Sequence, residues 1–403
     1  MALKTLKDIK VKNKLVLLRI DINSPIVEGR VEDNPRFEES AKTIRYLLQK
    51  KARVVIIAHQ GRQGSSDFLP LEQHARILSK YAKANIEYIN YLFEKEAELA
   101  IKDLKSGKAV LLKNVRNYKD ETDLSLPNYE RLCSHFDFYV NEAFSVSHRE
   151  QGSIILPPRY LKSAIGLQFE NEISALSKIT LKEAKNLTII LGGAKVEDYL
   201  PLFNLLRNNK NKMLTAGVLA NLLIMTKGKD LGYESAWVKN HDYLPLMPKL
   251  QPLYSKYSQQ ITLPLDFGLM TEKSKREDVT IDQAPYKYKI LDIGPKTVAL
   301  FKREINSSKF IFMKGPLGYS EFKEFGYATK EILSYLSLMS KKKKIFVVLG
   351  GGHLTTTMHK YKIPNTFAHI SLSGGALIAY LSGDKLPGLD ALEKSNKDRK
   401  SVV

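Results

Sequence analysis

Two kinds of segment alternate along this chain, and the alternation limits what it can fold into. Short runs of β-branched and other apolar residues occupy 15–20, 54–58, 110–112 and 136–140 in the first half, and 187–191, 212–215, 261–265, 310–313, 345–349 and 367–371 in the second. Between them lie stretches of helical spacing at 38–50, 71–81, 92–104, 199–206, 296–305 and 321–337. Near-continuous apolar strands separated by helices predict parallel sheets covered on both faces. Ten such strands divide better between two sheets than they fill one. The expected fold class is therefore α/β, with two doubly wound, Rossmann-like domains. The segment LQFENEISALSKITL, 167–181, puts Ile173, Leu176 and Ile179 at helical spacing and predicts a helix joining the domains. The expected boundaries are a first domain 1–166, a hinge 167–185, a second domain 186–386 and a terminal segment 387–403.

Composition then removes whole classes of function. No apolar run reaches the roughly 18–20 residues of a membrane span. MALKTLKDIKVKNK has no apolar stretch of the secretory kind, and the single cysteine, Cys133, excludes an internal disulfide. A cytoplasmic protein is expected, with no membrane partner. Sixty-three Lys and Arg against 43 Asp and Glu leave a net charge of +20, which draws anions: nucleic acid, anionic lipid or phosphorylated metabolites. Aromatics make up 9% of positions and form no basic-aromatic block for stacking bases, so no specific nucleic acid is expected. The lysine run 341–344 reads as a helix end before a strand, and 394–403 as a frayed surface segment. With no heptad repeat and no exposed apolar stripe, monomer and homodimer both remain open.

Glycines gather in the second half, where strands run into Leu191-Gly-Gly-Ala-Lys195, Lys314-Gly-Pro-Leu-Gly318, Leu349-Gly-Gly-Gly-His353 and Ser371-Leu-Ser-Gly-Gly375. Glycine lets backbone N–H groups approach a phosphate, and a helix starting just beyond adds its positive end. One such loop is an ordinary tight turn; four on one domain point to a phosphate-rich ligand. Walker A and G-x-G-x-x-G loops are both absent. The first half instead carries Arg19, Asp21, Asn23, Arg36, His59, Arg62, Arg116, His148 and Arg149, mostly just after successive strands. Arginine's planar fork matches phosphate and carboxylate oxygens. Several at one end of a parallel sheet would build a pocket for a small polyanion.

These motifs resemble, in order and over essentially the whole chain, the phosphoglycerate kinase family. LLRIDINSPIVEGRVEDNPR is similar to the family's R-x-D-x-N-x-P segment and its following arginine. AHQGR is similar to S-H-x-G-R, KNVRNY to E-N-V-R-F, and NEAFSVSHR to N-D-A-F-x-x-x-H-R. LGGAKVED, DIGPKT, KGPLGYSEF, LGGGH and HISLSGGA resemble the second-half motifs. The resemblance implies reversible, Mg2+-dependent phosphoryl transfer between 1,3-bisphosphoglycerate and ADP, giving 3-phosphoglycerate and ATP, in glycolysis and gluconeogenesis. It implies that Arg19, Asp21, Asn23, Arg36, His59, Arg62, Arg116 and Arg149 bind phosphoglycerate, with Asp21 and Asn23 at the hydroxyl and carboxylate end. Arg62, Arg116 and Arg149 would hold the phosphate that stays. It further implies a nucleotide site of Gly192, Gly193, Lys195, Gly217, Pro316, Glu321, Gly350, Gly351, Gly352 and His353. Arg36, Lys195, Gly352 and Gly374 would serve the phosphoryl group in flight, and Asp198 would meet a magnesium ion that arrives mainly on the nucleotide. The family's C-terminal segment returns to its first domain, and its two domains close on each other.

The chain also departs from the commonest pattern. Tyr199 stands where a second phosphate-binding lysine is frequent, Lys314 replaces an asparagine, and His353 replaces an aspartate, as in the archaeal branch. Lys113, Asn117, Glu142, Leu372 and Ser373 are further substitutions. They raise a second reading, a weakened relative that senses nucleotide or phosphoglycerate. Against it, the arginine set and Lys195 are intact.

Overall fold

The computed structural model describes residues 3–124, 126–180, 183–342 and 344–397. Met1, Ala2, Ser125, Leu181, Lys182, Lys343 and residues 398–403 of the segments discussed above lie outside the described residues. The chain divides into two compact units, one of Met1–Ile173 with Lys385–Val403 and one of Ser174–Asp384.

In the first unit six strands form one parallel sheet: β1 (Leu15–Arg19), β2 (Arg53–Ile57), β3 (Ile86–Ile89), β4 (Ala109–Leu112), β5 (Phe138–Asn141) and β6 (Lys162–Ile165). Their order is β3-β4-β2-β1-β5-β6, every pair parallel. All five residues of the central β1 are buried, which is why the run is apolar up to its last position. Helix α1 (Pro35–Gln49) covers the sheet with Phe37, Ile44 and Leu47, packed in one core with Val16, Leu18, Val54 and Ile56. Burying each such side chain contributes about 1.5–3 kcal/mol. Asn34 caps α1, its side-chain oxygen accepting the Arg36 N–H at 3.0 Å, and Pro35 fits the first turn because its missing N–H would have no partner there. Helix α2 (Glu72–Ala82) follows β2. The edge strands β3 and β6 escape the sequence pattern, being four residues each and mixing Glu87 or Lys162 with apolar positions.

The division between the units falls within α3 (Leu167–Leu176). Beyond it, β7 (Leu187–Leu191), β8 (Lys212–Thr215) and β9 (Ile261–Thr262) enter a second sheet. A separate antiparallel sheet of β10 (Asp266–Met270), β11 (Arg276–Thr280) and β12 (Lys289–Ile293) intervenes. The second parallel sheet is then completed by β13 (Phe310–Lys314), β14 (Phe346–Gly350) and β15 (His369–Ser371). Its order is β9-β8-β7-β13-β14-β15. Helices α4 (Gly217–Thr226), α5 (Pro295–Asn306), α6 (Tyr327–Lys341), α7 (Gly352–Lys360) and α8 (Gly374–Ser382) accompany it. Val298, Phe301, Ile332 and Leu336 join Ile190, Ile311, Val347 and Leu349 in its core.

Three expectations are corrected here. The run 261–265 is strand only at Ile261–Thr262, and the antiparallel sheet goes unannounced because Asp266, Gly268, Arg276, Glu277 and Asp278 interrupt its apolar pattern. The segment 199–206 lies within a 3₁₀ run, Glu197–Arg207, since Pro201 supplies no N–H to an α-helical ladder. The helix expected from 321 begins at Tyr327, where Asp292 of β12 accepts the Ala328 N–H at 3.1 Å and so fixes its start. Finally, α9 (Pro387–Lys397) belongs to the first unit, where Ser395 donates to the Leu161 carbonyl at 3.0 Å and Gly388 N–H to Ser147 at 2.9 Å.

Candidate active site

Parallel register places the end of β1 beside the ends of β2 and β5, since Arg19 pairs with Ile57 and Asn141. The chain leaving these strands therefore collects the expected side chains at the carboxyl edge of the first sheet, where open α/β sheets hold ligands. Arg19 is fully buried; its Nε donates to Ser153 Oγ at 2.9 Å, and a terminal nitrogen lies 3.1 Å from His59 Nδ1. Asp21 receives the Arg36 guanidinium, the Ser145 hydroxyl and, at 3.1 Å, the Asn23 N–H. The Asn23 side-chain oxygen accepts the Gly61 N–H at 2.8 Å, and Arg116 donates to the Gly61 carbonyl. Arg149 Nε donates to His148 Nε2 at 3.3 Å, so His148 steadies its neighbour.

Electrostatics define what this edge lacks. Burial works to raise the Asp21 carboxyl, but Arg36, His59 and the Ser145 and Asn23 donors hold it well below the usual range. Burial pushes Arg116 down to about 10, helped by Arg149 and Arg19, and burial with Arg62 lowers Arg149. Burial likewise holds His59 well below its ordinary value, aided by Arg19, Arg116 and Arg149 against Asp21. Neighbouring guanidiniums lower Arg116 and Arg149, while Asp21 counters both and Glu121 counters Arg116, which leaves a net positive field. A small polyanion would relieve it.

Sequence reasoning passed over the groups that brace this set. Gln60 accepts the Ser24 N–H at 2.9 Å and donates to the Ser24 and Asp67 carbonyls, both at 3.0 Å, while the buried His74 ring lies 3.0 Å from its oxygen. Ser145 sat inside a quoted motif, but nothing in its spacing announced an Asp21 contact 124 positions away. Glu142 caps α3: its carboxylate accepts Thr43 Oγ1 and the N–H groups of Gln168, at 3.1 Å, and Phe169, at 3.3 Å. Burial raises Glu142 to about 8 in spite of these donors.

In the second unit the glycine loops pack backbone against backbone. A Cβ on Gly192 would lie 2.1 Å from the Pro316 carbonyl oxygen, and one on Gly217, whose φ is +59°, 2.6 Å from that of Gly193. The Tyr199 hydroxyl donates to the Gly192 carbonyl at 2.7 Å, closing the loop from below. By contrast, space around Gly351, Gly352 and Gly374 is open: beyond chain neighbours and the local helix backbone, no described atom lies within 4 Å of a Cβ built on any of them. Gly352 and Gly374 start α7 and α8, so free N–H groups and the positive helix ends stand behind bare backbone. Lys195 and Asp198 are exposed and line a cleft with Tyr243 and Lys249; Tyr243 donates to the Ala194 carbonyl at 3.2 Å. His353 is exposed in the first turn of α7. Glu321 is exposed in the loop after β13, its carbonyl taking Lys360 Nζ of α7 at 3.0 Å. Among the described residues no three His, Cys, Asp or Glu side chains group as a metal site, and no helix is long and apolar enough to cross a membrane. Asp198 and its exposed neighbour Glu197 fit a magnesium ion already carried by phosphates better than a resident ion.

Comparison with known proteins shows the family. The phosphoglycerate kinase family model matches residues 6–384. A phosphoglycerate kinase from Sulfurisphaera tokodaii is 37% identical over 403 residues, covering 97% of this chain and 95% of its own. One from Archaeoglobus fulgidus is 36% identical over 402 residues, covering 97% of each. The crystal structure of phosphoglycerate kinase from Pyrococcus horikoshii aligns with a TM-score of 0.89 at 33% identity, covering 98% of this chain and 99% of that one. Fold and site together define a two-unit α/β phosphotransferase, with guanidiniums on one sheet edge and bare glycine backbone on the other. Within that class the chain belongs to the phosphoglycerate kinase family.

Proposed function

We propose that this chain moves a phosphoryl group reversibly between the acyl phosphate of 1,3-bisphosphoglycerate and the β-phosphate of ADP, as a step of glycolysis and gluconeogenesis in the cytoplasm. The P–O bond to the acyl oxygen breaks, its electrons staying on the released carboxylate, and a bond to the ADP oxygen forms; no proton needs to move at neutral pH. Such a transfer asks the protein for alignment and positive charge, not for a nucleophile. Arg62, Arg116 and Arg149 hold the phosphate that stays, Asp21 and Asn23 take the hydroxyl and carboxylate end, and Arg19 and His59 brace them. Arg36 and Lys195 reach the equatorial oxygens of the moving group, with the N–H groups at Gly352 and Gly374. Gly192, Gly193, Gly217, Pro316, Gly350, Gly351, His353 and Glu321 line the nucleotide. Asp198 would meet a magnesium ion arriving with the nucleotide, which would supply charge neutralisation at the phosphates. Closure about 167–185 brings the two ligands together and excludes water that would hydrolyse the acyl phosphate.

The observation that carries this reading is the gathering of Arg19, Arg36, Arg116 and Arg149 at one sheet edge around the ion-paired Asp21, a positive field suited to a doubly anionic small molecule. A coupled assay with ATP, magnesium and 3-phosphoglycerate tests it. Turnover of roughly 1–100 per second is expected, as for kinases generally. Ligand binding with turnover far below that range would instead describe a sensor.

A further inference from the structure

Lys314 ends β13, between β7 and β14, and its register partners are Leu191 on one side and Gly350 on the other. Those partners run directly into Gly192–Gly193 and Gly351–Gly352, so this lysine stands where two glycine loops leave the sheet. Its carbonyl holds the first of them, accepting the Gly192 N–H at 3.0 Å. Lys314 is nonetheless only 8% exposed, and its ammonium has no hydrogen bond or ion pair with any described residue. A buried ammonium without a direct partner is costly, and burial lowers its pKa; of the charged groups that reach it, Asp198 favours the charge and Lys195 opposes it. The other large polar side chain under the loop, Tyr199, is 3% exposed and spends its hydroxyl on the Gly192 carbonyl. It cannot also meet a ligand. Two ammoniums, one exposed and one buried, therefore flank unsubstituted backbone with Asp198 as nearby counter-charge.

We infer that Lys314 is a second phosphate-holding cation of the nucleotide site, its ammonium taking an oxygen of the β-phosphate of a nucleoside diphosphate. The positive charge that Tyr199 cannot supply comes here from the end of the central strand. This rests on the kinase reading for the identity of the nucleotide, but not for the presence of an anion. A lysine that merely fills the strand end would leave phosphate recognition unchanged when its charge is removed.

The test compares the full chain with Lys314→Met, which keeps the length and removes the charge. Calorimetric titration with ADP is expected to weaken at least tenfold and to lose part of its salt dependence. Adenosine, which has no phosphate, should bind both proteins equally, and 3-phosphoglycerate affinity should not change. Equal ADP affinity in a folded Lys314→Met protein overturns the inference. Should that variant not fold, the wild-type chain with 13C-labelled lysine answers instead. The Lys314 ε-carbon resonance, assigned with Lys314→Arg, is expected to move with ADP and stay with adenosine; no movement with ADP overturns the inference. Failure of the kinase reading would appear separately, as wild-type protein that binds ADP through Lys314 yet does not turn over.

Discussion

Arg36 and Asp21 form an ion pair in the first unit, the carboxylate 8% exposed and the guanidinium rising from the first turn of α1. The pair links the cap of a helix to the end of β1, so a side chain proposed to touch the moving phosphoryl group is oriented before any ligand arrives. Asp21 keeps Ser145 and the Asn23 N–H if Arg36 is removed. Arg36→Ala should therefore still fold, at a cost of about 1–3 kcal/mol in chemical denaturation. Its kcat is expected to fall about 100- to 1,000-fold. Turnover close to wild type would remove Arg36 from the mechanism.

Asp21 also sets an acid limit. Its folded pKa lies below the ordinary 3.8, so its stabilisation is complete above that value and is lost as pH falls through the depressed one. Asp21→Asn should unfold at a less acid-sensitive midpoint than wild type below about pH 4. An unchanged acid limb in circular dichroism would contradict the assignment.

Glu142 behaves oppositely. Its folded pKa is raised from 4.5 to about 8, so between those values the folded chain holds a proton that the unfolded chain has released. Stability from this group is full below the lower value and declines as pH rises through the upper one. The difference in melting temperature, Glu142→Gln minus wild type, should grow in favour of the variant from pH 5 to pH 8. A flat difference would show that the carboxyl titrates normally.

Two glycines should separate fold from chemistry. Gly192→Ala puts a methyl group against the Pro316 backbone, which cannot move aside as a flexible side chain could. Several kcal/mol of lost stability, or insoluble protein, is expected. Gly352→Ala meets open space within a helix, where alanine is the better former by about 1 kcal/mol. It should melt no lower than wild type while losing activity, since the methyl group stands where a phosphate would reach the N–H groups. Equal activity in Gly352→Ala would argue against phosphate contact there.

Lys195 is exposed. Lys195→Ala should melt like wild type and lose kcat about 100-fold or more, with a smaller change in 3-phosphoglycerate KM. A drop confined to KM would make it a ground-state binder.

Much of this was legible in the order of residues. The apolar runs at Leu15–Arg19 and Leu187–Leu191 are buried on both sides, and such strands can be read without knowing their neighbours. Arginines and glycines after strand ends were legible for the same reason: a parallel sheet delivers every strand's carboxyl end to one edge. What stayed hidden was whatever a distant residue decides. Helix α6 starts at Tyr327 because Asp292 accepts its N-terminal N–H, and the Arg276–Asp292 pair, 2.8 Å apart, ties β11 to β12 beside a small apolar core of Phe267, Leu269 and Val279. Likewise the sequence marks Tyr199 and Lys314 as substitutions without showing what either one touches. Only packing turns one into a brace beneath Gly192 and leaves the other a buried charge with no hydrogen bond or ion pair among the described residues. Local periodicity is a property of neighbours in sequence, whereas burial and pairing are properties of neighbours in space, and the chain's order states only the first.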